Sequence, residues 1–398
     1  MASIPAYSDC ILITAHWIAD QKEVTVVEPL LEATDEEKMP HAELAPIKPP
    51  SLVVVTGANG FIASHVIQRL LLLEFRVVGT VRSQSKADAV RNTHAQLTPA
   101  CVDLLTTAII EDITDPEAYH SLFDSYQPVA VFHLASPFGY SVDNYERDMM
   151  QPAVRGTEAV FKAAARSRSV QRIIHTNSFA CIYDASLGPR PGYTYTSKDW
   201  CPLTYNDGVT APNPAVAYRA SKAVAEKTAW EFMEASDFPG GFDLVSLCPA
   251  MVFGPFLDTP FSLPQSPKGL NTSNQLVWDV VSAGEDAAMP PTKGPVWVDV
   301  RDVAEAHVKA LSDPSLGGKR MLLAQGIYCS QEIADVSSEV ARKHSHRIAL
   351  GSPGKREAHT HFGVDSSVEA SDLGIKWRGL AETLSDLLPQ LYRIEQTD

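Results

Sequence analysis

No two of the six cysteines form a C-x-x-C pair; Cys10, Cys101, Cys181, Cys201, Cys248 and Cys329 are scattered along 398 residues. That spacing argues against a zinc ribbon, a redox dithiol or a disulfide framework, and it fits a reducing compartment. Basic charge is scarce too. Lysine and arginine number 33 against 48 aspartates and glutamates, leaving a formal charge of −15. A chain this acidic has no general affinity for nucleic acid or an anionic membrane, so neither is expected as a partner. No apolar run approaches the ~18 residues that a membrane span requires. The stretch Cys10-Ile-Leu-Ile-Thr-Ala-His-Trp-Ile-Ala19 follows Asp9 instead of a basic segment and contains a histidine. It does not read as a signal peptide, and a cytoplasmic location is expected. Internal repeats and low-complexity tracts are missing as well. What remains is ordinary globular composition, 45% hydrophobic and 20% charged, in a chain long enough to bury a large core unaided.

The first fifty residues differ from the rest. They hold nine acids against Lys22, Lys38 and Lys48, contain no glycine, and end in Pro46-Ile-Lys-Pro-Pro50. A proline-rich end of this kind behaves as an extended linker. Residues 1–50 therefore read as an acidic N-terminal extension, partly disordered, with a short strand or helix around 10–32. The segment is a candidate docking element for a protein partner.

From Ser51 the periodicity changes. Leu52-Val-Val-Val-Thr56 is a continuous β-branched run, suited to a strand buried on both faces of a parallel sheet. A glycine turn, a helical rhythm from Phe61 to Leu73 and a second run, Arg76-Val-Val-Gly-Thr-Val81, complete a strand–helix–strand unit. Further strands are expected at 108–112, 129–133, 172–176 and 242–248, with helices at 153–167 and 216–235. Asp115-Pro116 supplies an N-cap and a first-turn proline for another helix. Between 254 and 295 the chain reads as loop with one helix near 275–283. Strands alternating with helices predict an α/β fold, a doubly wound, mostly parallel sheet.

Thr56-Gly-Ala-Asn-Gly-Phe-Ile-Ala63 sits between the first strand and the first helix. Gly57 permits the sharp turn, and Gly60 lets the backbone approach a pyrophosphate at the positive end of the helix. A dinucleotide site follows from that context. An NAD site places an acid at the end of the second strand to hold the ribose 2′-hydroxyl. Here Arg82 stands at that position and Lys86 lies four residues on, cations suited to a 2′-phosphate, so NADP(H) is the expected cofactor. Tyr218-Arg-Ala-Ser-Lys222 puts a phenol and an ammonium one turn apart on one helix face. A free phenol titrates near pH 10, so acid–base work at neutrality needs a shift of roughly 3 units, part of which a neighbouring lysine supplies. Ser178 follows the strand at 172–176, where a hydroxyl can hydrogen-bond a substrate carbonyl.

Taken in this order, the motifs resemble the extended short-chain dehydrogenase/reductase family. Val55-Thr-Gly-Ala-Asn-Gly-Phe-Ile-Ala-Ser-His65 and Gly79-Thr-Val-Arg-Ser83 look like its branch of dihydroflavonol, yeast-type methylglyoxal (aldehyde) and cinnamoyl reductases. His133-Leu-Ala-Ser-Pro137, Pro152-Ala-Val-Arg-Gly-Thr157, Cys248-Pro-Ala-Met-Val-Phe-Gly-Pro255, Val298-Asp-Val-Arg-Asp-Val-Ala304 and Leu373-Gly-Ile-Lys-Trp-Arg378 are similar too. The likeness runs from about Leu52 to Leu388. It implies an NADP-binding Rossmann domain over 51–253, with a substrate-loop insertion at 184–214. It also implies a mainly substrate-binding lobe over 254–398 that sends segments back to the core. Gly57, Gly60, Phe61 and Ile62 would line the pyrophosphate, Arg82 and Lys86 the 2′-phosphate, and Asp112 and Ile113 the adenine. Ala135 and Ser136 would lie beside the ribose, and Pro249, Ala250 and Val252 against the nicotinamide. Ser178, Tyr218 and Lys222 would form the catalytic set, with Lys222 also on the nicotinamide ribose.

The implied activity is NADPH-dependent reduction of a ketone or aldehyde, by a monomer or homodimer. The pocket is expected between 137–145, 184–214 and 255–295. Its aromatics, Phe138, Tyr140, Trp200, Phe256 and Trp278, suggest an apolar, aromatic or polyketide-like secondary metabolite. The chain departs from the family where Asn177 precedes Ser178 in place of a second serine, in the long proline-rich 184–214 segment, and at 99–107, which lacks a polar helix. Two rivals stay open: an NAD(P)-dependent epimerase/dehydratase or hydroxysteroid-type dehydrogenase, and a non-catalytic NADP(H)-sensing protein. His344-Ser-His346 and His359-Thr-His361 lack a carboxylate or cysteine to complete a metal site, so no metal is expected.

Overall fold

The computed structural model describes residues 45–395, apart from 137–141, 237, 239 and 357–359. The strand or helix expected near 10–32, with most of the acidic extension, lies outside these residues. In chain order the first half of the fold is Leu52–Thr56 (β1), Phe61–Leu72 (α1), Arg76–Val81 (β2), Gln84–Leu97 (α2), Leu105–Ile109 (β3), Pro116–Tyr126 (α3), Ala130–His133 (β4), Gln151–Arg166 (α4) and Arg172–Thr176 (β5). Helix Pro214–Glu234 and strands Asp243–Pro249 and Arg320–Leu323 follow. Strand Arg320–Leu323 is one edge of a seven-stranded, all-parallel sheet, followed by Asp243–Pro249, β5, β4, β1, β2 and β3.

The uninterrupted apolar run of β1 is explained by layers on both of its faces. Val53 and Val55 belong to the core shared with α1 and helix Val300–Ser312, whereas Val54 belongs to the core shared with α3 and α4. All three are fully buried, and each contributes roughly 1.5–3 kcal/mol by leaving water. Ile47, just before the proline pair, is also buried in the first of these cores. Asp115 caps α3 as its sequence suggests: its carboxylate accepts the Glu117 N–H at 2.9 Å, with Pro116 in the first turn.

One strand sits elsewhere than expected. The third strand is Leu105–Ile109 instead of 108–112, because its ladder pairs Val77 with Leu105 and Val81 with Ile109. Thr106 and Thr107 are β-branched and fit the pleat; the sequence expectation, built on Ala108-Ile-Ile-Glu-Asp112, started and ended three residues too late. Ile110 still donates its N–H to Val81 at 2.9 Å, after which Glu111 and Asp112 turn out to solvent.

A smaller sheet pairs Met251–Phe253 with Val296–Asp299, which in turn pairs with Gly326–Ile327. It packs with helices Thr272–Val281, Ser330–Val340 and Leu380–Glu395 around Phe253, Trp278, Trp297, Tyr328 and Leu388. Trp278, expected in the pocket, is instead part of this core, edge-on to Tyr392 with ring centroids 6.1 Å apart. Helical periodicity on an apolar face accounts for it without a ligand.

Five histidines are buried in the described fold, and burial holds each below its ordinary value: His65, His94 and His307 at about 4, His133 at about 3, and His175 also well below. Their lowered folded-state values mean that the unfolded chain binds protons the folded chain refuses. The stability they confer is complete above about pH 6.5 and is lost as pH falls from there toward 4. The melting temperature should accordingly drop steadily between pH 6.5 and 4.5. A flat profile in that window, measured by calorimetry, would contradict the buried neutral rings.

Candidate active site

The strand order reverses between β1 and β4, the switch point at which open α/β sheets bind ligands. Gly57 stands just beyond β1 with φ +66°, and a Cβ on it would lie 3.1 Å from the Ala135 Cα. Only glycine satisfies both the left-handed backbone and the close approach. Thr56 ties the two loops together. Its Oγ1 accepts from the N–H groups of Leu134 (3.0 Å) and Ala135 (2.9 Å) and lies 3.1 Å from His133 Nδ1. Ala58 donates to Thr80 at 2.9 Å, while Gly79 leaves room for the Ala58 methyl. Gly60 caps α1 with backbone alone, so the first-turn N–H groups of Phe61, Ile62 and Ala63 face out of the helix end. Phe61 is held by Phe256 at 5.0 Å between ring centroids, so Phe256 packs against the glycine loop.

At the end of β2, Arg82 is exposed and Lys86 part-buried in the first turn of α2. Burial, then the charge of Arg82, lowers the Lys86 pKa. Ser83 and Ser85 stand beside them with hydroxyls 3.3 Å apart, and the first turn of α2 carries no acid. Two cations, two hydroxyls and a helix N-terminus match a phosphate monoester. Asp112 is exposed and accepts from the N–H and hydroxyl of Thr114, which holds its pKa down. Ile113 packs against Gly156 of α4. Ala135 and Ser136 are half-buried beyond β4, Pro249 ends its strand, and Val252 is buried in the smaller sheet.

Helix Pro214–Glu234 carries Tyr218 and Lys222 on the face that packs over the turn after Ser178. Its start is fixed by Asn213, whose side chain accepts from the Val216 N–H, and by Pro214. Tyr218 is half-buried. Lys222 is only 8% exposed, and its ammonium makes no hydrogen bond or ion pair among the described residues. Burial pushes its pKa down to about 8. Ser178 is half-buried at the end of β5, and its Oγ accepts from the Ala180 N–H at 3.1 Å. It is thus the cap of a short turn, and its hydroxyl proton remains available for donation.

Several features of this region carry no motif in the sequence. Asn177 is buried, and among the described residues both its side-chain amide atoms are unpartnered, directly before Ser178. Five rings, Phe179, Tyr183, Tyr193, Tyr195 and Phe362, stack and cross behind the Ser178 turn at 4.9–6.0 Å. They anchor the 184–214 segment, whose Thr194–Tyr195 pairs with Gly363–Val364. Cys181 and Cys248, 67 positions apart, bring their sulfurs within 3.6 Å. Glu226, one turn beyond Lys222, forms a buried fork with Arg320. The i, i+4, i+8 spacing of Tyr218, Lys222 and Glu226 was the one available signal for that carboxylate. Phe138 and Tyr140 lie outside the described residues. Trp200 is 39% exposed and lies under the Arg320 guanidinium.

Comparison with known proteins agrees with this geometry. Residues 53–324 match the NAD dependent epimerase/dehydratase family. The NADPH-dependent methylglyoxal reductase of Saccharomyces cerevisiae is 31% identical over 350 residues, 86% of this chain and 98% of the relative. A ketoreductase of Aspergillus niger is 31% identical over 342 residues, 85% and 97% of the two chains. The crystal structure of the yeast methylglyoxal/isovaleraldehyde reductase complexed with NADPH superposes with a TM-score of 0.79 at 30% identity, covering 87% of this chain and all of that one. On the family match and on relatives spanning nearly their whole length, the chain belongs to the NAD dependent epimerase/dehydratase family, whose members include extended short-chain reductases.

Proposed function

We propose that the protein is an NADPH-dependent reductase that converts a ketone or aldehyde to the alcohol. The observation that carries this is Lys222: a buried ammonium with no hydrogen bond or ion pair among the described residues, one helical turn from Tyr218, in a chain whose glycine loop is backed by two cations. A buried charge left unpaired is costly and persists where a ligand makes use of it. The glycine cradle, the Arg82/Lys86 pair and the lone ammonium all fit NADPH, which when bound would supply hydride from its nicotinamide C4 to the carbonyl carbon. Tyr218 gives its proton to the carbonyl oxygen, Lys222 holds the nicotinamide ribose and favours the phenolate left behind, and Ser178 orients the carbonyl. The similarity to methylglyoxal, aldehyde and ketone reductases supports a carbonyl substrate. A cytosolic enzyme, monomeric or dimeric, with the acidic extension as a docking element, fits the same account.

Arg82 tests the choice of cofactor. Arg82→Ala should raise the Michaelis constant for NADPH more than about tenfold and leave that for NADH nearly unchanged, since only the 2′-phosphate loses a charge-assisted partner. Steady-state assays with both cofactors decide it; an unaltered preference for NADPH would remove Arg82 from the site.

A further inference from the structure

Beneath the Tyr218–Lys222 pair lies a buried charge cluster with a role of its own. Glu226 is fully buried, and both its oxygens are held: Oε1 by Arg320 Nε at 2.9 Å and by the Ser246 hydroxyl at 2.5 Å, Oε2 by Arg320 Nη2 at 2.9 Å. Arg320 extends from the edge strand of the main sheet and is itself nearly buried. Its remaining donors reach the Ser197 carbonyl (2.5 Å), the Asp199 carbonyl (2.6 Å) and the Cys181 carbonyl (3.1 Å), and its plane lies 3.7 Å from the Trp200 ring. One guanidinium thus joins the helix of Tyr218, the turn that begins at Ser178 and the inserted loop.

We infer that Arg320 is a positioning residue for the reaction: it occupies both oxygens of Glu226, keeping that carboxylate from the Lys222 ammonium, and it clamps the Ser178 turn to the same helix. The inference rests on the roles proposed above for Lys222 and Ser178. The spacing makes the diversion necessary. Residues four apart on a helix are neighbours, and lysine with glutamate at that spacing forms an ion pair when nothing intervenes. An unclaimed Glu226 would draw the ammonium down the helix, away from Tyr218 and the ribose.

Among the described residues, no second carboxylate acts on Lys222. From β4 and β5 it meets His133 and His175, stacked 5.3 Å apart and both held neutral by burial. From the Ser178 turn it meets Cys181, and from strand Asp243–Pro249 Cys248; burial pushes the Cys181 thiol up, so it stays protonated. Tyr218 and Glu226 share its own helix. Glu226 is the one anion in the set, and Arg320 is the group that neutralises it.

Opposite shifts in opposite variants test this. The ionisation of Lys222 is read in the cofactor-free protein by NMR titration of ε-13C-labelled lysine, with Lys222→Met assigning the signal. The high-pH limb of kcat is measured in parallel. Arg320→Met leaves Glu226 unpaired and should raise the Lys222 pKa by about one unit. Glu226→Gln leaves Arg320 uncompensated and should lower it by a similar amount. The double variant Glu226→Gln/Arg320→Met should return it close to the native value, and the kcat limb should follow in each case. The carbonyl KM should rise about tenfold in both Arg320→Met variants, since the loop clamp is lost in each, while NADPH affinity in Glu226→Gln changes little. Should Arg320→Met fail to fold, Arg320→Lys takes its place: it keeps the charge but loses the fork, and a native Lys222 pKa with raised carbonyl KM is expected. An unmoved Lys222 pKa in Arg320→Met or Glu226→Gln, a moved one in Arg320→Lys, or lowered activity with no opposite shifts between Arg320→Met and Glu226→Gln, would overturn the inference. Near-native activity of Tyr218→Phe would instead overturn the underlying mechanism, so the two failures are told apart.

Discussion

Tyr218→Phe should lower turnover about a thousandfold while NADPH binds as tightly as before. The substitution keeps the ring and its packing on helix Pro214–Glu234 and removes one oxygen. A positioned general acid is worth roughly 10²–10⁴ in rate, and the neighbouring Ser221 hydroxyl is already committed to the Tyr218 carbonyl at 2.8 Å. Turnover is read from NADPH oxidation with a carbonyl substrate, and affinity from nicotinamide fluorescence. A variant within a few-fold of native turnover would take Tyr218 out of the chemistry.

Lys222→Met should separate activity from stability in a way no structural lysine can. Methionine matches the buried stem and carries no charge. In the native protein, burial lowers the Lys222 pKa from 10.5 to about 8, the nearby Glu226 offsets only part of that, and the ammonium makes no hydrogen bond or ion pair among the described residues. That gap corresponds to a penalty on the order of 3 kcal/mol below pH 8, fading as pH rises from 8 to 10.5 where both states become neutral. The variant should therefore melt several degrees higher than native at pH 7 and lose the excess at high pH, while its turnover falls at least about a hundredfold. A lower melting temperature at pH 7 would mean that Lys222 is held by the protein for its own sake. Stability sacrificed at a functional site is the pattern expected where a ligand uses the group.

Most of the fold could be read from the chain because parallel strands buried on both faces leave continuous β-branched runs, as in Leu52–Thr56 and Arg172–Thr176. The third strand was misplaced since the two threonines that interrupt its apolar run were passed over, although they take their places in the ladder opposite Val78 and Gly79. Tyr218, Lys222, Ser178 and the glycine loop were legible for a different reason: each sits at a fixed offset from an element boundary. What tertiary contact alone creates was not legible. Arg320 lies 94 positions from Glu226, and Cys181 lies 67 from Cys248, so no spacing rule links them. Trp278 shows the reverse error, an aromatic near the pocket in sequence that belongs to a core in space. Asn177, seen only as a departure from a serine pair, is a buried amide with both ends unpartnered among the described residues.

The central claim is that this chain moves hydride onto a carbonyl with Tyr218 closing the proton balance. Incubation with NADPH deuterated at the transferable C4 position and an aromatic 2-oxoaldehyde, followed by mass spectrometry of the product, tests it most directly. The account predicts an alcohol bearing one deuterium on the former carbonyl carbon for each NADPH oxidised by the native protein, and about a thousandfold less of it from Tyr218→Phe. An alcohol without label, or equal labelled product from both proteins, would contradict it.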